Sequence, residues 1–224
     1  MKLTATNLSK KYYRPTKNSS HFEAVKTVDF ELEEGKLTEI TGRSGSGKST
    51  LLYMLAGLLK PSSGNVFLDG KDLYTLKDDE LSFLRNEKFG VIPQGVTGLF
   101  SLTVLQNVLA PASIYRDTKK YEEKARELLE LVGISELADS KMTELSGGEL
   151  RRMAIARSLI MDPQIIFADE PTDDLDDENT KAVLELLQKT AHSGKSVLLV
   201  THEASAADYA DKIYRMDSGN FNLL

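Results

Sequence analysis

Eight consecutive residues, Gly42-Arg43-Ser44-Gly45-Ser46-Gly47-Lys48-Ser49, constrain this chain more than any other stretch. Two glycines with four residues between them, followed by Lys-Ser, form the phosphate-binding loop pattern. Segment 37–41 before the loop predicts a strand, and segment 50–56 after it predicts a helix. Glycines let backbone N–H groups approach an anion, and a helix N-terminus attracts negative charge. A chance Gly/Ser-rich turn would not need both flanking elements, so the pattern predicts a phosphate site.

Composition excludes several classes of protein. The 224 residues carry 28 basic and 34 acidic side chains, a net charge of −6, so the basic bias typical of nucleic-acid binding is missing. There is no cysteine, which excludes disulfides and thiolate metal sites. The sequence has neither the apolar run of a membrane-spanning helix nor a signal peptide at its N-terminus. We therefore expect a soluble, cytoplasmic protein that contacts a membrane only through a partner.

Periodicity predicts an α/β order of elements. Strands are expected at 3–8, 28–32, 66–68, 89–92, 164–168 and 196–200, with a hairpin over 213–224 and a polar loop at 14–20. Helices are expected over 121–132 and 180–192, ended by Gly133 and Gly194, and after Ser146, a natural N-cap. Pro93 should end the strand before it, which leaves Gln94 on a loop.

Two carboxylates follow the apolar run 165–168. Asp169 is placed to hold Mg²⁺ at the carboxyl end of a buried strand, as acids do in phosphate-loop enzymes. Glu170, one residue further on, is placed to act as general base on an attacking water. The alternative is an exposed acidic turn, which the upstream phosphate loop disfavours.

Ser146-Gly147-Gly148 predicts a second anion site, at the N-terminus of another helix. It cannot easily serve the chain's own phosphate loop, because one nucleotide needs only one such cradle. This stretch, Leu145 to Glu149, is similar to the signature motif of the ABC transporter nucleotide-binding subunits.

The resemblance covers essentially the whole chain, with its motifs in family order. It implies a RecA-like P-loop NTPase core with an antiparallel β-layer, spanning 1–92 and 162–224, and an inserted α-helical subdomain over 93–161. It implies a switch histidine at Thr201-His202 and a D-loop at Leu175-Asp176. The residues expected to contact ATP are Tyr12, Gly42, Ser44, Gly45, Ser46, Gly47, Lys48, Ser49, Thr50, Gln94, Ser146, Gly147, Gly148 and Asp176. Ser49, Gln94 and Asp169 are expected to hold Mg²⁺, and Lys48, Glu170 and His202 to serve catalysis.

The resemblance further implies a head-to-tail homodimer formed on ATP binding, with each ATP held by one subunit's phosphate loop and the other's Ser146 and Gly148. ATP hydrolysis would drive a separate transmembrane permease from the cytoplasmic face of the membrane, with Gln94 linking the two. A finer resemblance, carried by Leu84-Arg85-Asn86 and Gly90-Val91-Ile92, points to the group that serves lipoprotein release, macrolide export and peptide efflux.

Several features depart from that group or stay open. Asp173-Asp174 replaces a usual Gly-Asn, Leu150 and Arg151 replace glutamines, and Pro93 replaces an aromatic residue. Tyr13 competes with Tyr12 for the adenine-stacking role. Leu99, Phe100 and Leu102 either line a groove for a permease helix or belong to the local core. His21 and His192 are expected to be solvated.

Two other functions are compatible with the sequence. An ATPase of the same superfamily that acts through a permease-like partner in cell division or signalling would carry the same motifs. A DNA-repair or ribosome-associated ATPase is disfavoured by the single cassette and the acidic balance.

Overall fold

The computed structural model describes residues 1–14, 20–95, 98–173 and 175–224. Most of the predicted polar loop, residues 15–19, and Asp174 of the departing acidic pair therefore lie outside the described residues.

Within the described residues, six α-helices and ten strands alternate along the chain. The strands are β1 (Leu3–Arg14), β2 (Ser20–Leu32), β3 (Leu37–Thr41), β4 (Ser63–Leu68), β5 (Lys71–Asp72), β6 (Phe89–Ile92), β7 (Ile165–Asp169), β8 (Ser196–Thr201), β9 (Lys212–Asp217) and β10 (Asn220–Leu223). The helices are α1 (Lys48–Leu55), α2 (Asp78–Lys88), α3 (Val104–Tyr115), α4 (Glu122–Leu131), α5 (Gly147–Leu159) and α6 (Asp177–His192).

The strands form two sheets. A six-stranded sheet has the order β10-β9-β3-β8-β7-β6, in which β9, β3, β8, β7 and β6 pair in parallel and β10 closes one edge antiparallel. A four-stranded antiparallel sheet has the order β2-β1-β4-β5. The central strands of the larger sheet are covered on both faces, so they are mostly apolar, and every residue of β7 and β8 is buried, including the polar Asp169, Ser196 and Thr201 at their ends. The predicted α/β class is confirmed.

One apolar core lies on each face of the parallel sheet. Ile40, Phe167 and Val200 point to the side of α1 and the antiparallel sheet, whereas Ile166, Val197 and Leu199 point to the side of α4, α5 and α6. Three helices, α3, α4 and α5, lie in the chain between β6 and β7. The division of the chain near residues 93 and 161 stays a prediction.

The observed ends of helices and strands agree best with the predicted ends where a proline, a glycine or a capping residue marks them. The predicted strand over 37–41 is β3 residue for residue, β6 ends at Ile92 before Pro93, and Ser146 caps α5. Gly133 and Gly194 adopt positive φ, 70° and 97°, just beyond the ends of α4 and α6. The C-terminal hairpin is also confirmed.

Two expectations were wrong in extent. The first strand does not end near residue 8 but continues to Arg14, so Tyr12 lies inside β1. Its distal part pairs with β2 beyond the core, so its sequence carries no apolar alternation. Helix α2 was missed, because only Leu81 of its eleven residues is buried. In the described residues, no helix combines the length and the apolar character that crossing a membrane requires.

Candidate functional site

The phosphate loop lies between β3 and α1, at the carboxyl end of the parallel sheet. Gly47, the residue before α1, has a φ of 110°, and a Cβ atom there would lie 2.1 Å from the Ala24 carbonyl oxygen. Only glycine fits this position, because both the left-handed backbone and the space exclude a side chain. Lys48, the first residue of α1, is buried, and its Nζ donates to the Gly42 carbonyl at 2.7 Å. The loop therefore folds around its own lysine.

A cavity of about 400 Å³ opens over this loop. It brings together most of the predicted nucleotide contacts, and its lining residues are Tyr12, Phe22, Ala24, Ser44, Gly45, Gly47, Lys48, Ser49, Thr50, Gln94 and Glu170. Tyr13 is absent from this lining, because successive side chains of β1 point to opposite sides, and its ring contacts His21 at 5.6 Å between centroids. The geometry therefore favours Tyr12 over Tyr13 as the residue beside a bound base.

The pair Ser49 and Asp169 fits a magnesium site. The Ser49 hydroxyl donates to Asp169 Oδ1 at 2.8 Å, which joins the start of α1 to the end of β7. The other oxygen, Oδ2, is buried and receives no hydrogen bond of good geometry among the described residues, although the Tyr53 hydroxyl lies close enough to lower the pKa of the carboxyl. Burial raises the pKa of Asp169 above its ordinary value, so a cation beside it would be favourable. Among the described residues, no three His, Asp or Glu side chains are arranged so that they could hold a metal ion.

Glu170 contacts both Lys48 and His202. Glu170 has a φ of 46°, a costly conformation for a non-glycine residue that is typical of functional sites. Its Oε1 lies 3.3 Å from Lys48 Nζ, while its Oε2 accepts from the His202 backbone N–H at 3.1 Å and lies 3.0 Å from His202 Nδ1. The carboxylate is buried, whereas half of the His202 side chain is exposed. The two residues can thus act as one unit.

A second cavity, of about 730 Å³, adjoins the first. Its lining residues are Thr41, Gly42, Arg43, Ser44, Gln94, Glu170, Asp173, His202, Arg215 and Leu224. Gln94 and Glu170 line both cavities, so they stand between the phosphate loop and the switch histidine. Ser46 is buried beneath the loop, where its carbonyl accepts from the Gly219 N–H.

The signature residues line neither cavity. Ser146 caps α5: its Oγ accepts from the Glu149 N–H at 3.4 Å, and its own N–H donates to Glu149 Oε2 at 2.7 Å. A Cβ on Gly147 would meet nothing within 4 Å. Asp176 caps α6 by accepting from the Asn179 N–H at 2.8 Å, and it too is exposed and outside both cavities. These residues are therefore not brought to the chain's own phosphate loop.

Two of the sequence's departures contact each other. Buried Arg151 donates from Nη1 to the Pro93 carbonyl at 3.0 Å, which ties α5 to the residue before Gln94. Leu99 and Phe100 are 53% and 63% exposed, so of the two alternatives for these residues, local core is disfavoured for both. His192 lies 3.1 Å from Asp211 Oδ1 while remaining half exposed.

Sequence reasoning missed Phe22 and Ala24 in the nucleotide cavity. Both lie on β2, where Phe22 is the cross-strand partner of Tyr12. Their presence follows from hairpin register, which depends on a loop length that the sequence pattern does not give. Had the first strand been extended to Tyr12, the pairing would have suggested Phe22.

The comparisons with known proteins agree with this geometry. The family model described as ABC transporter matches residues 25–173. The lipoprotein-releasing system ATP-binding protein LolD of Leptospira interrogans is 42% identical over 200 residues, which cover 89% of this chain and 83% of the relative. The macrolide export ATP-binding/permease protein MacB of Chlorobaculum tepidum is 37% identical over 89% of this chain and 31% of its own length.

Solved structures extend the likeness to the whole fold. The dimeric structure of MJ0796, a bacterial ABC transporter cassette, matches with a TM-score of 0.91 and 34% identity, covering 99% of this chain and 98% of that one. The same cassette is also known as a dimer in a post-hydrolysis state bound to ADP and Pi, with a TM-score of 0.88 and 33% identity. With the phosphate loop, the two carboxylates and the histidine in one place, this chain belongs to the ABC transporter family and is one of its ATP-hydrolysing subunits.

Proposed function

We propose that two copies of this chain pair head to tail around ATP and Mg²⁺, and that hydrolysis drives a membrane permease which releases or exports a lipoprotein-like substrate. The observation that carries the proposal is the separation of Ser146–Gly148 from the chain's own cavities, although these residues present an uncovered helix N-terminus. A second subunit is the natural source of the phosphate that such a terminus attracts.

In the proposed mechanism the loop N–H groups and Lys48 hold the β- and γ-phosphates, and Tyr12 lies against the base. Lys48, which now bonds to the Gly42 carbonyl and lies beside Glu170, exchanges these contacts for bonds to phosphate. Ser49 and Asp169, with Gln94, would hold Mg²⁺, which supplies positive charge that stabilises the transferring phosphoryl group.

Glu170 is the proposed general base. Once Lys48 turns to phosphate, one Glu170 oxygen is free to accept the proton of the attacking water, while His202 keeps the other oxygen in place. The water oxygen bonds to the γ-phosphorus as the bond to the ADP oxygen breaks, which yields ADP and phosphate. His202, half exposed at the mouth of the second cavity, is placed to reach the γ-phosphate.

The proposed contact with the permease lies beside Gln94. Leu99 and Phe100 follow it in the chain and expose apolar side chains, and exposed Leu58 and Ile114 line a separate groove. An exposed apolar patch of this kind suits a partner helix. The names of the relatives, a lipoprotein-releasing protein and a macrolide exporter, support an amphiphilic substrate and a position on the cytoplasmic face.

The experiment is the oligomeric state of Glu170→Gln with and without Mg-ATP, measured by light scattering. The amide removes the base but not the Ser49–Asp169 pair, so we expect hydrolysis to slow by about 10²–10⁴-fold and a dimer to accumulate with ATP. Adding Ser146→Arg should return the protein to monomer, because the side chain fills the space that the partner's phosphate needs.

The matched control is Glu185→Gln, on the exposed face of α6, where the carboxylate only approaches Lys181 at 3.9 Å. It should hydrolyse ATP as the unmodified chain does and show no ATP-stabilised dimer. A Glu170→Gln protein that binds ATP yet stays monomeric would contradict the shared site.

A further inference from the structure

The N-terminal turns of α5 and α6 lie against each other. A Cβ on Gly148 would be 3.4 Å from Leu175 Cδ2, so the signature turn touches the leucine that precedes the α6 cap. The proposed function places the signature turn in the partner's site, and Asp176, which caps α6, is one of the residues expected from the sequence to contact ATP. Their relative placement therefore matters to the dimer, and a contact between a glycine and one methyl group is too small to fix it.

Arg152 supplies a polar connection between the two helices. It lies four residues after Gly148, on the same side of α5. Its Nη1 donates to Asn179 Oδ1 at 2.7 Å. Asn179 in turn donates from Nδ2 to both carboxylate oxygens of Asp176, at 2.8 and 2.9 Å, and from its backbone N–H to Oδ1 at 2.8 Å. A continuous chain of hydrogen bonds thus runs from the signature helix to the cap of α6.

The charge of Arg152 acts on both caps. It lowers the pKa of Glu149, after the larger effect of the Ser146 hydrogen bonds, and that of Asp176, after the Asn179 hydrogen bonds. Its Nε is buried with no hydrogen-bond partner among the described residues. The guanidinium is therefore held between two helix caps, and no shorter side chain at this position would span them.

We propose that Arg152 is a positioning residue that, through Asn179, fixes the signature turn to the Asp176 turn so that both are presented to a second subunit as one surface. The proposal rests on the head-to-tail dimer proposed above. It gives Arg152 no contact with the nucleotide held by its own subunit.

The test places Arg152→Met, Arg152→Lys and Asn179→Ala in the Glu170→Gln background and measures the ATP concentration that half-saturates dimerisation. A hydrogen bond from a charged group is lost in Arg152→Met, so we expect this concentration to rise about tenfold or more. Arg152→Lys, which keeps the charge, should recover part of the loss. Arg152→Met and Asn179→Ala together should be no worse than either alone, because they break the same connection.

Two further measurements separate positioning from plain stability. The ATP affinity of the dilute monomer should stay close to that of the parent, and thermal unfolding should show that the variant is still folded at the temperature of the dimerisation assay. The control is Arg126→Met, because among the residues that the structure describes Arg126 bonds to Glu122 on its own helix, at 3.1 Å, in the exposed part of α4. It should leave dimerisation unchanged.

Each outcome is decisive. If the Glu170→Gln parent dimerises and Arg152→Met dimerises equally well, the Arg152 proposal alone is overturned. The same holds if Arg152→Met merely melts earlier while its folded fraction dimerises normally. If the parent itself stays monomeric, the dimer is overturned and the Arg152 proposal with it.

Discussion

Two glycine-containing helix starts in this molecule look alike in sequence and differ in what surrounds them. At α1 the chain encloses its own loop: a side chain on Gly47 would strike the Ala24 carbonyl, and Lys48 already has partners within the chain. At α5 the turn is open, since a Cβ on Gly147 meets nothing within 4 Å. The first glycine is required by the fold of one subunit. Among the described residues of one subunit, nothing requires the second glycine, and the space beside it is open.

The largest expected effect is a difference in folding stability between substitutions at the enclosed Gly47 and at the open Gly147. Gly47→Ala should destabilise the isolated chain by about 2–5 kcal/mol, because the backbone conformation and the close carbonyl both resist a side chain. Gly147→Ala should leave the free energy of unfolding unchanged or raise it by up to about 1 kcal/mol, since alanine favours a helix. Thermal unfolding measures both. Equal losses of stability in the two variants would remove the distinction.

A second prediction concerns β3, the strand that leads into the first of these regions. Glu39 is 1% exposed, its Oε2 has no hydrogen-bond partner among the described residues, and α6 covers this side of the sheet with Val183, Leu184 and Leu187. Burial raises the pKa of Glu39 to about 7, against an ordinary 4.5. The folded chain thus binds this proton more tightly than the unfolded chain. The contribution of protonated Glu39 to the free energy of unfolding is therefore fully present below about pH 4.5 and is lost as the pH rises through about 7.

Glu39→Gln should remove that pH dependence. At pH 8 the variant should be more stable than the unmodified chain by roughly 3 kcal/mol at most, and near pH 4 the two should be similar. Denaturant unfolding at both pH values, without nucleotide, measures the difference. The control, Glu31→Gln on the exposed side of β2, should differ from the unmodified chain by the same amount in stability at both pH values. A variant without advantage at pH 8 would mean that the buried carboxyl is solvated or paired.

The third prediction asks whether nucleotide affinity belongs to one subunit. Lys48→Ala should cost about 1.5–3 kcal/mol of ATP binding, because it removes a charge-assisted hydrogen bond. Ser146→Arg should cost the dilute monomer nothing, since Ser146 does not line the cavity. Calorimetric titration measures both. A loss of monomer affinity in Ser146→Arg would show that the two regions are not separate.

The smallest effect is expected at the edge of the cavity. Tyr12→Ala should weaken ATP binding by about 1–3 kcal/mol, the usual contribution of base stacking, and Tyr13→Ala should have almost no effect. Tyr13 is a close control, because it occupies the next position of β1 and faces away. A larger loss of ATP binding in Tyr13→Ala than in Tyr12→Ala would mean that Tyr13 is the stacking residue.

The sequence predicts features that depend on neighbouring residues better than features that depend on contacts between distant residues. β3, the end of β6 and the cap at Ser146 were predicted well, because periodicity, proline geometry and capping act within a few residues. Helix α2 was missed because it buries almost nothing. Phe22, Arg152 and Asn179 became visible only in the structure, since cross-strand register and contacts between helices join residues distant in sequence.

The same limit applies to the buried Glu39. A single carboxylate in segment 37–41, Leu-Thr-Glu-Ile-Thr, carries no local sign of its burial, which comes from the neighbouring strands β8 and β9 and from helix α6. Motifs, in contrast, predicted the phosphate loop with its carboxylates and histidine, because each motif residue sits at the same edge of one parallel sheet.

The central claim is that each ATP site is built from two subunits, and mixing two inactive variants tests it most directly. Lys48→Ala lacks a working phosphate loop, and Ser146→Arg lacks a working signature turn, so each alone should hydrolyse almost no ATP. In an equimolar mixture half of the dimers are mixed and each has one complete site of two, so the account predicts about a quarter of the unmodified rate. A mixture as inactive as its two components would contradict the account.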